Sequence, residues 1–396
     1  MKHSFLNNLI IVAPLIALPL GFAGAQQLPE GIEYYPGTGS DNAFYLEQEL
    51  TTDGATANVT SFEQDGNFNI LGDTNPLGLF ASGFAGADVG GQAALQYGVN
   101  NEFIGSQFGD SNVVSFLQGV SAAEAVNFQA TMDEIGAYGV VAANAYGDDV
   151  DHSALAIADD LATRLNSWIA AGITSDSSSA DVVQDGDANT VMLYQLGDSL
   201  VANINQVGSD NEAWAMMATH DSSVDIDQIN GDGNQAVVTQ LTDGVGGLIA
   251  DATIMQDGYD NVASITQAAS LGTLSLSATI DQSGDFNVAS IYQAGQSDAN
   301  DRADITQAGN NNTAMMSIYG LGNSGQISQS ANGTFADLQF TGNDNAVKLT
   351  QQEDNAYAAM AINGDDNSIT IKQVANTTPI VLDIAGSNNN MKITQR

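Results

Sequence analysis

The 396-residue chain sets 47 acidic side chains against 7 basic ones and contains no cysteine. A balance so acidic argues against nucleic acid and anionic lipid as partners, and the missing cysteines exclude a disulfide framework. Forty-one glycines and six prolines, with abundant Asn, Gln and Asp, point to a chain held together by turns and side-chain amides.

The N-terminus reads as a secretory signal peptide over residues 1–25. Lys2 and His3 precede an apolar run from Leu9 to Leu20, which closes on Ala23, Gly24 and Ala25. At about 12 residues the run is too short for a bilayer, and no later stretch approaches the roughly 20 apolar residues a spanning helix needs. The mature chain is therefore expected to be exported and not membrane-embedded, with a net charge of 6 − 47 = −41 once Lys2 is gone.

Beyond this leader one unit repeats, with the template Gln-x-Gly-x-x-Asn-x-apolar-x-apolar-x-Gln. Imperfect arms come first, at Asn42 to Gln48 and Asn58 to Gln64, and residues 70–95, rich in Gly, Ala and Phe, read as an insertion. Within 64–118 the template first holds cleanly, through Gln96, Gly98, Asn101, Gln107, Gly109, Asn112 and Gln118. It decays over 119–183. The register survives there, since 129 − 118 = 11 and 184 − 129 = 55, which favours degenerate repeats. The rival reading is an amphipathic helix over Asp151 to Ala171, with Leu155, Ala158, Leu161, Leu165 and Trp168 on one stripe.

From 184 onward the unit is dense. Gln184, Gly186, Asn189, Gln195, Gly197, Gln206, Gly208 and Asn211 lead to Gln256, Gly258, Asn261 and Gln267, then to Gln282, Gly284, Asn287 and Gln293. From Gln307 an unbroken series of eleven-residue steps passes Ile318, Gln329, Phe340, Gln351, Ile362, Gln373 and Ile384 to reach Gln395. Gly309, Asn312, Gly342, Asn345, Gly364, Asn367, Gly386 and Asn389 keep their places within it. Alternate steps between Gln228 and Gln307 are long, which puts extra residues in turns at 241–249, 268–275 and 294–300, all on one edge.

The periods dictate a structure. From asparagine to glutamine every second residue belongs to one set, as in Asn345, Val347, Leu349 and Gln351 against Ala346, Lys348 and Thr350, and period two means a strand. Glycine at a fixed place marks a tight turn. One strand and one turn make an arm of eleven residues, and two arms bring the chain back over its start. A coil of about 22 residues cannot bury its own apolar pair, so it must stack at about 4.8 Å on the next, Gln on Gln and Asn on Asn. The expectation is an all-β fold: a β-solenoid of about 17 two-arm coils (371/22). The glutamines and asparagines named above are its ladder and polymerisation residues, and the glycines its turns.

Signals of chemistry are sparse. His152 and His220 stand alone, and Gly320 to Gly325 matches a dinucleotide-type glycine pattern but falls in a turn of the frame with no helix after it. Acids beside turn glycines, as at Asp260, Asp344 and Asp366, suggest only diffuse divalent binding, because the glycine-rich nonapeptide of calcium β-rolls is absent. No enzyme, catalytic residue, metal site or cofactor is expected.

The spacing at 96–118, 184–195, 256–267, 282–293 and 307–395 resembles the curlin repeat of curli, the functional amyloid of bacterial biofilm matrix. The chain is longer than usual subunits of that family, and the template is lost over 119–183. The resemblance implies export through a dedicated outer-membrane pore, nucleation at the cell surface and growth of extracellular fibres from copies of the same chain. It also implies that residues 26–63 hold a segment that addresses the pore. A minor nucleating subunit, or a monomeric surface solenoid acting as an adhesin or ligand binder, are the alternatives. Strict repetition up to Gln395, without a polar or helical cap, favours polymerisation.

Overall fold

The computed structural model describes residues 32–36, 43–44, 46–49, 58–71, 94–119, 175–242, 248–270, 274–296, 300–374 and 378–396. Among these every regular element is a strand, and there is no helix. The expected signal peptide, most of the insertion at 70–95 and the helix candidate at Asp151 to Ala171 lie outside the described residues.

The strands alternate along the chain between two sheets. Sheet A holds β1 (Ile32–Pro36), β4 (Val59–Asp65), β7 (Glu102–Phe108), β9 (Ser179–Asp185), β11 (Val201–Val207), β13 (Ser223–Ile229), β15 (Leu248–Asp257), β17 (Leu274–Ser283), β19 (Asn300–Ala308), β21 (Ser324–Gln329), β23 (Ala346–Gln351), β25 (Ser368–Gln373) and β27 (Asn390–Gln395). Sheet B holds β2 (Ala43–Phe44), β5 (Ile70–Leu71), β8 (Val113–Gln118), β10 (Thr190–Leu196), β12 (Glu212–Ala218), β14 (Gln235–Thr242), β16 (Val262–Ser270), β18 (Val288–Gln296), β20 (Thr313–Tyr319), β22 (Phe335–Thr341), β24 (Tyr357–Asn363) and β26 (Ile380–Ala385). Two short strands, β3 (Leu46–Glu49) and β6 (Ala94–Tyr97), pair beside it. Every pairing is parallel, so each coil lies on the one before it and the whole is a β-solenoid.

Inward positions from both sheets meet in one continuous core. On β23 Val347 and Leu349 are buried between exposed Ala346 and Lys348, the alternation a half-buried strand requires. Each fully buried Val, Ile or Leu contributes about 1.5–3 kcal/mol, and stacking repeats that term from coil to coil. Strands β8, β10 and β12 differ: their outward Leu117, Met192, Tyr194, Trp214 and Met216 are buried as well. Their sequences, VVSFLQ, TVMLYQL and EAWAMMA, are continuous apolar runs, as strands buried on both faces are.

Glycine sits at a conformation forced by the neighbouring coil. Gly186 has φ 135°, and a Cβ built on it would come within 1.9 Å of the Gly208 carbonyl oxygen in the next coil. Two residues later the turn demands a second left-handed residue: Asp210, Asp260, Asn311, Asp344 and Asp366 all have φ between 52° and 59°. Asp and Asn tolerate that region best, which explains their density in the turns.

Neighbouring coils are 22 residues apart in the regular stretches, as from Gln184 to Gln206. The described part of sheet A has thirteen strands and hence thirteen coils, fewer than the length alone suggests. Insertions lengthen the chain without adding coils: Gln64 and Gln107 are stacked neighbours 43 residues apart, and Gln107 and Gln184 are 77 apart.

That last spacing corrects the frame count through 119–183. β7 pairs directly with β9, and β8 with β10, so no further arm stands between them.

The three enlarged turns share the edge between sheet B and sheet A, but much of their extra chain is strand. Leu241 and Thr242 pair with Ala268 and Ala269, and Leu248 and Ile249 pair with Leu274 and Ser275. Neighbouring insertions of similar length offer one another pairing partners, so the ladder extends into them.

Candidate functional site

The most continuous polar feature among the described residues is an interior ladder. In sheet A twelve glutamines stand one above another: Gln64, Gln107, Gln184, Gln206, Gln228, Gln256, Gln282, Gln307, Gln329, Gln351, Gln373 and Gln395. From Gln64 to Gln373 each Nε2 donates to the Oε1 of the next glutamine toward the C-terminus, at 2.8–3.0 Å. The second amide hydrogen is used too. Gln206 donates to the Thr190 carbonyl at 3.2 Å and Gln351 to that of Phe335 at 2.9 Å, which pins the facing sheet. Both donors of the buried amide are thus satisfied, as burial demands.

The column in sheet B is shorter and broken. Gln96 bonds to Gln118 and Gln118 to Gln195, but the next position is Met217. The column resumes through Gln240, Gln267 and Gln293. Beyond Gln293, Ile318, Phe340, Ile362 and Ile384 continue the same file as an apolar column.

Asparagines hold the turns together. Asn189 donates through Nδ2 to the Gly208 carbonyl at 2.7 Å, and its Oδ1 accepts the backbone N–H of Asn211 at 3.1 Å. Asn112, Asn211, Asn261 and Asn287 repeat this along one edge. Along the other edge Asn345 and Asn367 repeat it, Asn101 bonds likewise to Ser175 and Ser178, and Asn389 follows Asn367. Asn312 differs: its Nδ2 bonds back to Asn287 and its Oδ1 accepts from both the backbone and the hydroxyl of Thr334. The turn glycines Gly98, Gly109, Gly197, Gly258, Gly284, Gly309, Gly342, Gly364 and Gly386 all have positive φ, as Gly186 and Gly208 do.

Two members of the ladders were not singled out from the sequence: Asn69 and Asn234. Each stands at a template position, so the frame itself was the signal. Substitutes at asparagine places, Ser178, Ser222 and Thr334, carry only a hydroxyl and are legible only in three dimensions. The turn acids have a second role besides solvation. The Asp187 carboxylate accepts the backbone N–H of Asp110 at 2.7 Å, and Asp232 does the same for Ser209 at 2.8 Å. His220 takes such a place, its Nδ1 accepting the Asp198 N–H at 3.0 Å.

Asp301 is the electrostatic exception. It heads the column of Asn323, Asn345, Asn367 and Asn389, with Leu276 on its other side. Its Oδ1 accepts the Asn323 N–H, while Oδ2 is buried without a hydrogen-bond partner. Burial pushes its carboxyl up to about 6, with the Asn323 hydrogen bond opposing and Asp344 adding to the shift.

Gly320 and Gly322 lie in a turn, and Gly325, on β21, faces the core against Met316 of β20. Among the described residues no group of three or more His, Asp or Glu side chains is placed to hold a metal ion. What the arrangement does chemically is present, coil after coil, the same donors on one side and the same acceptors on the other. Three segments of the chain, 176–208, 186–214 and 299–330, match the family model of the curlin associated repeat. No curated protein matches the chain.

Proposed function

We propose that this chain, three segments of which match the curlin associated repeat, is a secreted structural subunit that assembles by stacking of solenoids into extracellular curli-like amyloid fibres, serving biofilm matrix and adhesion. The observation that carries this reading is the eleven-bond glutamine ladder of sheet A, in which every bond has the same direction. A contact that repeats by translation is heterologous and does not close on itself, so it propagates. A coil therefore templates another coil whether it belongs to the same chain or the next.

The remaining parts follow the family. Residues 1–25 direct export, a segment within 26–63 addresses the outer-membrane pore, and a nucleator at the cell surface starts growth. Residues 64–118 and 184–396 form the stacking body, and the named Gln and Asn side chains serve polymerisation. No catalysis and no cofactor enter this reading.

The test is to purify residues 26–396 unfolded, remove denaturant, and follow thioflavin fluorescence and electron micrographs. Unbranched filaments that seed fresh protein are expected. A lone, unaggregated particle at high concentration contradicts the reading.

A further inference from the structure

The outer face of sheet A is segregated by charge. Outward positions on β9, β13, β15 and β17 carry Asp181, Asp185, Asp225, Asp227, Asp251, Asp257 and Asp281, and these strands hold no Lys or Arg. On β19 Arg302 is held by its own Asp304 at 2.8 Å, and β21 is uncharged. On β23, β25 and β27 the outward positions carry Lys348, Lys372 and Lys392 and no acid. All three lysines are exposed, and none forms an ion pair among the described residues.

The acidic stretch is left with unrelieved repulsion. Asp225 is raised by burial and by Asp227, and Asp281 by burial and by Asp257. Between the acids, outward Val201, Val207 and Met255 remain exposed. A cationic, partly apolar surface would both neutralise and cover this stretch, and the chain presents its own such cations on the same face.

We propose that the outer face of sheet A is a lateral docking surface for a second copy of this chain, the lysines of each copy lying on the acidic stretch of the other. The two stretches are complementary because β13 and β25 stand symmetrically about β19. A two-fold axis at β19 sets β25 of one copy over β13 of its partner and the reverse, six coils or about 29 Å apart along the stack. Lys372 then meets Asp225 and Asp227, and Lys348 meets Asp251. The central strands, internally paired or neutral, oppose each other without like-charge conflict. This contact lies at right angles to the end-to-end stacking proposed above and does not need it.

The two also respond oppositely to salt. Screening relieves the overall repulsion that slows end-to-end growth, but it weakens the pairing of lysines with aspartates.

The experiment compares the chain from residue 26 with a triple variant, Lys348→Glu, Lys372→Glu and Lys392→Glu, and with a partner variant, Asp225→Lys, Asp227→Lys and Asp251→Lys. Sedimentation reads soluble pairs, and electron microscopy reads filament width. At low salt the unaltered chain is expected to pair side by side, and the lysine variant to pair at least about tenfold more weakly, the scale of one or two exposed ion pairs. Mixing the two variants restores pairing. Lys→Arg at all three positions retains it, and unchanged circular dichroism keeps folding out of the comparison. Equal pairing by the Lys→Glu variant overturns the proposal. So does an unaltered chain that never pairs with itself yet binds alginate through these lysines. Absence of filaments with pairing intact would contradict the end-to-end reading alone.

Discussion

Met217 stands between Gln195 and Gln240 in the glutamine file of sheet B, and it leaves the Gln240 Oε1 buried with no hydrogen-bond partner. In each intact step the preceding glutamine donates to that atom, as Gln240 itself does to Gln267 at 3.0 Å. A thioether cannot donate, so the file is cut at one coil. Met217→Gln is expected to rejoin it and to raise stability by about 1–3 kcal/mol, the cost of an orphaned buried acceptor. Denaturant melting of the two chains checks this; a loss of stability would mean the file has no room for the amide.

Phe286 occupies the left-handed turn position with φ 58° and is 55% exposed. Most equivalent residues are Asp, Asn, Ser or Gly, so an aromatic here holds strain without burial in return. Phe286→Asn or Phe286→Gly is expected to stabilise the fold by about 1 kcal/mol. The midpoint of denaturant unfolding reads it, and a fall in that midpoint would show that the ring contributes packing elsewhere.

Asp301 gives the fold a pH dependence. Its folded carboxyl titrates near 6, above its ordinary value of 3.8, so the folded state holds the proton more tightly than the unfolded chain. The resulting stability is fully present below about pH 4 and is lost as pH rises through 6. Glu212, Asp225, Asp281 and Asp337 are raised by burial in the same direction. Stability should therefore increase from pH 7 to pH 5. Asp301→Asn supplies the amide its column uses elsewhere and should add about 1–3 kcal/mol at pH 7 while flattening the profile. A variant with the parent's pH profile would remove Asp301 as the cause.

How much of this was legible in the sequence varies with the physical origin of each feature. The frame from Gln307 to Gln395 exposes the strands, the turns and the 22-residue coil, because a ladder demands the same side chain at the same place in every copy. The apolar run TVMLYQL of β10, buried on both faces, blurs the alternation on which the frame rests, and its two-sided burial was not read from the sequence. At 119–183 arithmetic does not decide, since a multiple of eleven is the same whether chain is stacked or inserted, and only the pairing of β8 with β10 shows the flanking strands to be direct neighbours. Enlarged turns could not announce themselves as strand, because Leu248 gains a partner only when Leu274 lies beside it. Hydroxyl substitutes such as Ser178 and Thr334 carry no template letter at all, and their role depends on the coil beneath.

The most direct measurement of the central claim is mass per unit length of single filaments, taken on the Lys→Glu variant so that side-by-side pairing does not add to it. The thirteen coils of the described residues, stacked at about 4.8 Å, give about one chain from residue 26 onward per ~62 Å of filament. A value near one chain per 60 Å is the expected result. One chain per ~4.8 Å, as flat strands layered across a fibre axis would give, contradicts end-to-end stacking of folded solenoids.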